Sequence, residues 1–102
     1  MPTSRPVHRF SLDFLPSALA EWKALDGSVR AQFKSILAKR LQEPRLPGSQ
    51  LHGELSDCYK IKLRRSGYRL IYRVQNERLV VTVIAVGKGE RDAVYVAART
   101  RK

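Results

Sequence analysis

The amino-acid sequence predicts an α+β fold, in which an antiparallel sheet of about four strands is packed by an N-terminal helical hairpin and followed by a short C-terminal helix. Apolar residues recur at helical spacing in the first half of the chain, and three runs with strand-like alternation follow in the second half. With 102 residues, 43% of them hydrophobic, the chain is expected to form a single domain, residues 1–102, with its own core. The one cysteine, Cys58, cannot form an internal disulfide.

The N-terminal half is predicted to form a short strand and two helices. Residues 7–13 predict the strand, because apolar and polar residues alternate there. Residues 15–25 predict the first helix, with Pro16 where a first helical residue tolerates proline. Asp26-Gly27-Ser28 then ends this helix and offers capping oxygens for the next one. The apolar face of the second helix consists of Val29, Phe33, Ile36, Leu37 and Leu41.

A turn-rich connection at residues 43–50 leads to three predicted strands. The strands span residues 57–64, 68–75 and 78–86. Because their connections, residues 64–67 and 75–77, are short, they are expected to pair as an antiparallel meander. Residues 79–86 are apolar on both faces, which predicts a central strand. Residues 90–102 are mildly helical and end in a basic tail.

The charge of the chain restricts the kinds of partner it can have. Lys and Arg number 20 against 9 Asp and Glu, which gives a formal charge of +11 and a pI near 10.6. Such an excess favours polyanions, since Lys and Arg release counterions when they neutralise a phosphate backbone. The sequence contains neither a run of about 20 apolar residues nor a signal-peptide pattern, so we expect a cytoplasmic protein without a membrane partner.

Strand alternation predicts where part of this charge collects. In the first strand of the meander, Lys60, Lys62 and Arg64 take the face opposite the apolar residues. The apolar residues of both strands are buried on one side only if the residue numbers of each opposed pair add up to an odd number. This pairing allows Lys62 to stand opposite Arg69, and it puts Arg73 on the same face as these two residues. A solvated, merely solubilising face is the alternative. Solvated faces usually mix signs, whereas this one is nearly all positive and therefore favours contact with RNA or DNA.

Several segments of the chain resemble the RelE toxins of bacterial toxin–antitoxin pairs. They are Asp57-Cys58-Tyr59-Lys60-Ile61-Lys62-Leu63-Arg64, Ser66-Gly67-Tyr68-Arg69-Leu70-Ile71-Tyr72, and Val83 to Lys88 continuing through Glu90-Arg91 to Val94-Tyr95. The resemblance covers roughly residues 10–97. It implies a small endoribonuclease that enters the ribosomal A site and cuts mRNA under translation, with the ribose 2′-hydroxyl as the nucleophile. The sequence has no zinc-ligand spacing, so no metal or other cofactor is expected. The ribosome with its small-subunit rRNA, mRNA and a RelB-like antitoxin are the implied partners.

The resemblance also implies roles for individual residues. The catalytic lysines of the family fall on Lys60 and Lys62, its phosphate-holding arginine on Arg69 and its base-stacking tyrosine on Tyr95. A lysine can act as a general base when neighbouring positive charges disfavour its ammonium form, and Lys60 and Lys62 have such neighbours. An arginine fork suits the doubly negative transition state. The candidate RNA-binding residues are His52, Arg64, Arg65, Arg73, Lys88 and Arg91.

Two departures from the family pattern leave alternatives open. Gly89 stands where the family has the arginine credited with assisting the leaving 5′-oxygen, so this chain is either attenuated or uses Lys88 or Arg91 instead. His52 stands where the family often has arginine, and it is either a polar loop residue or a protonatable RNA contact. Other function classes are a ParE-like toxin that poisons DNA gyrase and a ribosome-binding variant that cleaves weakly. A conventional His–Glu ribonuclease is disfavoured, because nothing in the spacing places a histidine beside a glutamate.

Overall fold

A four-stranded sheet with helices on both faces forms the body of the protein. The computed structural model describes residues 10–88 and 93–101. The strands are β1 Ser11–Phe14, β2 Cys58–Lys62, β3 Tyr68–Gln75 and β4 Val80–Lys88, arranged in the order β1-β4-β3-β2. The helices are α1 Pro16–Lys23, α2 Gly27–Arg40 and α3 Ala93–Arg101. Two single-turn 3₁₀ segments, Pro47–Ser49 and Gly53–Leu55, lie between α2 and β2.

The predicted helical hairpin is confirmed, and local contacts explain where each helix stops. The Asp26 carboxylate accepts hydrogen bonds from the backbone amide and the hydroxyl of Ser28, at 3.2 and 2.6 Å, and so caps the start of α2. Arg30 reaches back and donates to the carbonyl of Leu25 at 2.8 Å, with longer bonds to two preceding carbonyls. These bonds satisfy backbone groups that the end of α1 leaves without helical partners.

The predicted meander is also confirmed, and its register is the predicted one. β2 pairs antiparallel with β3 so that Lys62 lies opposite Arg69, and β3 pairs antiparallel with β4, which is an inner strand as expected. Gly67 closes the β2–β3 turn with a φ of +79°, a conformation that glycine adopts without strain. The β3–β4 turn is longer than predicted, because Arg78 and Leu79 belong to the turn and β4 begins at Val80.

The N-terminal strand corrects one part of the prediction, since β1 pairs parallel, not antiparallel, with β4. Alternation of apolar residues shows which face a strand buries but does not show its direction. The parallel ladder continues past β1, where the amide of Leu15 donates to the carbonyl of Val83 at 3.0 Å. The sheet is therefore mixed. Residues 7–9 of the strand predicted at residues 7–13 lie outside the described residues. The observed β1 ends one residue later than predicted, at Phe14.

Two apolar clusters occupy the two faces of the sheet. The larger one lies beneath α1 and α2 and includes Trp22 and the fully buried Phe33 and Tyr72. The smaller cluster lies beneath α3 and consists of Leu55, Cys58, Ile71, Ile84, Ala85, Val94 and Ala98. An irregularity in the β3–β4 register, where Ile71 pairs with Ala85 but Tyr72 pairs with Val83, inserts Ile84 as an extra residue. Ile84 and Ala85 therefore both face α3, and β4 is apolar on both sides.

An ion pair holds the end of α3 against α1 and the sheet. Arg101 contacts Glu21 at 2.7 Å and also donates to the carbonyl of Ile84 at 3.0 Å. Glu21 accepts a further hydrogen bond from the Val86 amide at 3.0 Å. Partial burial alone would raise the pKa of Glu21, but the hydrogen bonds from Arg101 and Val86 and the charge of Arg101 together lower it. None of the helices in the described ranges is long and apolar enough to cross a membrane.

Candidate active site

A row of basic residues crosses the face of the sheet on which α3 lies. Lys62 on β2 stands opposite Arg69 on β3, which in turn stands opposite Gly87 on β4. Lys60 shares this face one step along β2 and stands opposite Ile71. Side chains directly opposed in a sheet have Cβ atoms about 4.5–5.5 Å apart, so Lys62 and Arg69 are direct neighbours. The predicted grouping of Lys60, Lys62 and Arg69 on one face is therefore present.

An open cleft of about 630 Å³ runs along the outer edge of β2. Its lining residues in the described part of the chain are Arg40, Ser49, Lys60, Lys62 and Arg64. Four of the five are cations, and no acidic residue is among them. Such a concentration of one sign is unfavourable for folding, since like charges on paired strands repel. The cleft is chemically suited to a ligand that carries several negative charges.

The guanidinium of Arg40, at the end of α2, is fixed against the edge of the sheet by three hydrogen bonds. It donates to the Tyr72 hydroxyl at 2.7 Å, to the Lys60 carbonyl at 3.4 Å and to the Ser49 hydroxyl at 3.3 Å. The Tyr72 hydroxyl in turn donates to the Pro44 carbonyl at 2.8 Å. Burial raises the pKa of Tyr72, although the hydrogen bond and charge of Arg40 partly oppose this. Tyr72 is therefore a neutral anchor for Arg40.

Helix α3 brings Tyr95 onto the same face as the basic row. Its neighbour Val94 packs tightly over β4, where a Cβ added to Gly87 would lie 3.3 Å from Val94 Cγ2. Glycine at this position therefore allows α3 to approach the strand that stands beside Arg69. The Tyr95 ring is partly buried and packs against the smaller cluster. Tyr95 thus supports α3 and is still partly accessible to solvent.

The remaining predicted RNA-binding residues lie at different distances from the cleft. Arg64 lines it, and Arg65 is exposed beside it on the tip of the β2–β3 hairpin. His52 is exposed just before the Gly53–Leu55 turn. Arg91, like Gly89, lies outside the described residues.

Arg73 and Lys88 are not brought into the cleft. Arg73 stands opposite Cys58 and Thr82, separated from Arg69 by Ile71 beneath α3, and it lines another depression together with Arg45. Lys88 stands opposite Tyr68, and its ammonium lies 5.9 Å from the centre of the Tyr68 ring. That ring belongs to the face packed by the helical hairpin, so Lys88 lies on the face opposite Arg69.

Sequence reasoning missed Arg40 and Ser49 as lining residues. Arg40 follows Phe33 and Leu37 at spacings of seven and three residues, so it continues the apolar stripe of α2. A cation on that stripe is a signal that could have marked it. Ser49 lies in a loop whose path no periodic pattern describes, and only its contact with Arg40 places it at the cleft.

No group of three or more metal-ligating side chains occurs among the described residues. The lining of the cleft itself supplies amines, guanidinium groups and a hydroxyl. Such groups can bind phosphate, transfer protons and stabilise developing negative charge.

The fold and the basic cleft place the chain in the RelE/ParE superfamily, and comparisons with known proteins specify the family. The model of the ParE toxin of type II toxin–antitoxin systems, parDE, matches residues 12–93. The mRNA interferase toxin RelE of Escherichia coli K12 is 51% identical over 92 residues, which cover 90% of this chain and 96% of that protein. The chain belongs to the RelE family of toxins of bacterial type II toxin–antitoxin systems.

Solved structures agree with this assignment. A variant of E. coli toxin RelE in which two arginines are replaced by alanine, solved in the free state, matches with a TM-score of 0.84 and 49% identity, over 91% of this chain and 97% of that one. The toxin chain of the intact E. coli RelBE toxin–antitoxin complex matches with a TM-score of 0.76 and 52% identity, over 80% of this chain and 99% of that one. The predicted resemblance and fold class are confirmed.

Proposed function

We propose that this chain is a ribosome-dependent endoribonuclease, an mRNA interferase that cuts mRNA in the ribosomal A site and so inhibits translation. The observation that carries the proposal is the row of Lys62 and Arg69 beside a cleft lined by Lys60 and Arg64. The 51% identity with an mRNA interferase from E. coli supports the same function. Neither the basic row nor the acid-free lining benefits folding, so a polyanionic substrate accounts for both.

The reaction assigned to the cleft is attack of a ribose 2′-hydroxyl on the adjacent phosphate. One of the two lysines, Lys60 or Lys62, accepts the 2′ proton while the new P–O bond forms. The bond to the 5′-oxygen then breaks, and that oxygen leaves as a 5′-hydroxyl after it takes up a proton. The other product carries a 2′,3′-cyclic phosphate. No water, metal or cofactor enters this scheme.

Arg69 and Tyr95 stabilise and orient the reacting nucleotides. The partly buried Arg69 stands directly beside Lys62, where its planar guanidinium can hold two oxygens of the pentacoordinate phosphate. The partly exposed Tyr95 offers an aromatic ring on which a base can stack, an interaction worth about 1–3 kcal/mol per base. Stacking would hold the sugar of that nucleotide in line for attack.

A broader set of cations holds the RNA and the ribosome. Arg64 and Arg65 extend the positive surface to the hairpin tip, and His52 adds an exposed imidazole beside the turn before β2. Arg73 and Lys88 attract rRNA from other sides of the molecule. Because Gly89 offers no side chain, assistance to the leaving oxygen falls to another cation. Lys88 lies on the face opposite Arg69 and Arg91 lies outside the described residues, so the second lysine of the Lys60–Lys62 pair is the proton donor that the cleft itself supplies.

We further propose that a RelB-like antitoxin with acidic segments covers the basic surface when the toxin is held inactive. The E. coli relative has been solved in complex with an antitoxin, which supports a partner of this kind. The substrate, mRNA on translating ribosomes, implies a cytoplasmic location. Residues 1–102 would act as one toxin domain.

The test is primer extension on a ribosome-bound message after addition of the purified protein. The wild-type protein should cut within the A-site codon and leave the same RNA intact without ribosomes. Lys62→Ala and Arg69→Ala should slow the single-turnover cleavage by about 100-fold or more, whereas Lys34→Ala, at an exposed position on α2, should cut normally. Wild-type cleavage by Lys62→Ala would overturn the assignment of the site.

Two further outcomes separate the alternative functions. The matching family is described by its ParE members, so gyrase activity is measured alongside. DNA breaks that require gyrase, together with intact messages, would replace the nuclease proposal with a ParE-like one. Ribosome binding with slow cleavage that Gly89→Arg accelerates would identify an attenuated nuclease.

A further inference from the structure

We propose that Arg40 is a phosphate-binding residue of the cleft and holds a backbone phosphate of the RNA strand on the outer side of β2. The inference rests on the proposed function for the identity of the ligand as RNA. It assigns a role to a residue that lies on α2, outside the strands that carry Lys60, Lys62 and Arg69.

The first argument is that the protein holds the Arg40 guanidinium in place with only some of its hydrogen-bond donors. Its bonds to the Tyr72 hydroxyl, the Lys60 carbonyl and the Ser49 hydroxyl engage three of the five N–H donors of an arginine. Three bonds leave two of the five donors for other acceptors. A guanidinium fixed in advance loses little conformational entropy when it binds a ligand, which favours tight binding of phosphate.

The second argument is electrostatic. In the described part of the chain, Arg40 shares the cleft with three other cations and with no carboxylate that would neutralise it. Arg40 differs in this respect from Arg101, which faces the carboxylate of Glu21 at 2.7 Å. Arg40 instead contacts neutral oxygens, so its full positive charge remains available to an anion.

The third argument concerns position. Arg40 contacts the carbonyl of Lys60, which points outward from the edge strand β2, whereas Lys62 and Arg69 stand on the sheet face beyond that edge. An RNA strand that crosses the edge of β2 would therefore meet Arg40 on one side and the Lys62–Arg69 pair on the other. Two phosphates of one strand could be held at once, which would fix the strand on both sides of the reacting bond.

Arg45 provides a matched control for this proposal. Arg40 is the last residue of α2, and Arg45 lies in the loop that follows it. Arg45 also donates to a tyrosine hydroxyl, that of Tyr59 at 3.3 Å. Tyr59 and Tyr72 stack on each other, with ring centroids 5.7 Å apart. Arg45 does not line the cleft but faces two other depressions. Arg40→Gln and Arg45→Gln thus remove the same charge and the same kind of contact from two different places.

The experiment measures binding of a 2′-O-methyl hexanucleotide, which cannot be cleaved, to each purified variant over a range of salt concentrations. Arg40→Gln should weaken binding about ten-fold at low salt, because a charge-assisted phosphate contact is lost. It should also reduce the slope of log K against log salt by about 0.7, the value for one phosphate of a single strand. Arg45→Gln should leave both quantities close to wild type. Equal effects of the two variants would overturn the proposal.

Tyr72→Phe tests whether the fixed position of Arg40 matters, even if Arg40→Gln proves unstable. It retains the buried ring but removes the hydroxyl that anchors Arg40. Binding should weaken about three-fold with an unchanged salt slope, because the charge remains; wild-type binding by Tyr72→Phe would overturn the role of the anchor. Arg40-dependent binding without ribosome-dependent cleavage would refute the proposed function alone. Cleavage with no Arg40 dependence in binding would refute this inference alone.

Discussion

Replacement of Lys62 by glutamine is expected to stabilise the fold while it removes cleavage. Lys62 stands directly opposite Arg69, and like charges directly opposed in a sheet destabilise it by up to about 1 kcal/mol. Lys62 is exposed, so solvent screening reduces this repulsion, and we expect a gain of about 0.5 kcal/mol in the free energy of unfolding at low salt. For a domain of about 100 residues this corresponds to a rise of about 2–4 °C in Tm.

The unfolding transition can be followed by the fluorescence of Trp22, the only tryptophan, which is buried in the larger cluster. Urea titrations of wild type and Lys62→Gln at low salt and at 1 M salt give the two differences in free energy. At 1 M salt the Debye length is about 3 Å, shorter than the separation of the two side chains, so the gain should disappear. Arg78→Gln, which removes an exposed cation from the β3–β4 turn, serves as the control for net charge.

A destabilised Lys62→Gln protein at low salt would refute the reasoning. So would a gain that persists at 1 M salt, because it would show that packing and not charge is responsible. A gain equal to that of Arg78→Gln would show that only the overall charge of +11 matters. The expected combination, higher stability with cleavage lowered about 100-fold or more, would mean that the basic row exists for its ligand.

Two further predictions concern the packing around the sheet. Glu21→Gln should lower the free energy of unfolding by about 1 kcal/mol near pH 7 and speed hydrogen exchange in α3, since the Arg101 ion pair is lost. The pKa of Glu21 is lower in the folded than in the unfolded protein, so its stabilising contribution is present above the unfolded-state pKa and is lost as the pH falls through the folded-state pKa. The stabilities of the two proteins should therefore converge in acid. Leu79→Gly should raise the midpoint of urea unfolding. Leu79 has a φ of +53°, a conformation that costs a leucine about 1–2 kcal/mol, which is more than the conformational entropy that a glycine loses on folding. A lower midpoint would contradict this.

The register of the central hairpin could be predicted because it follows from the sequence alone. Only one parity of pairing buries the apolar residues of both strands, and a turn with Gly67 fixes the offset, so Lys62 had to stand opposite Arg69. The same rule says nothing about direction, which is why the parallel pairing of β1 was not predicted. It also assumes perfect alternation, and the extra residue Ile84 interrupts that alternation in β4.

The site could be predicted only where it lies on regular strands. Alternation placed Arg73 correctly on the basic face, but the distance to Arg69 and the cover of α3 over Ile71 depend on tertiary packing. Arg40 reaches the cleft from another layer of the fold, through contacts with Tyr72 and a loop serine. Contacts between distant elements leave no periodic trace in the sequence, so this side of the cleft became visible only in the structure.

The position of β2 at the edge of the sheet has a consequence for association of the protein with itself. An edge strand exposes unpaired backbone groups and can pair with a second chain. On β2 the outward carbonyls of Cys58 and Lys60 accept hydrogen bonds from the Leu51 amide at 3.0 Å and from Arg40 at 3.4 Å, and the two lysines within the strand repel an approaching copy. We therefore expect the two lysines proposed to cleave RNA to protect this edge against aggregation as well. Variants in which both are replaced by neutral residues are expected to be less soluble at high concentration than variants that lose other cations.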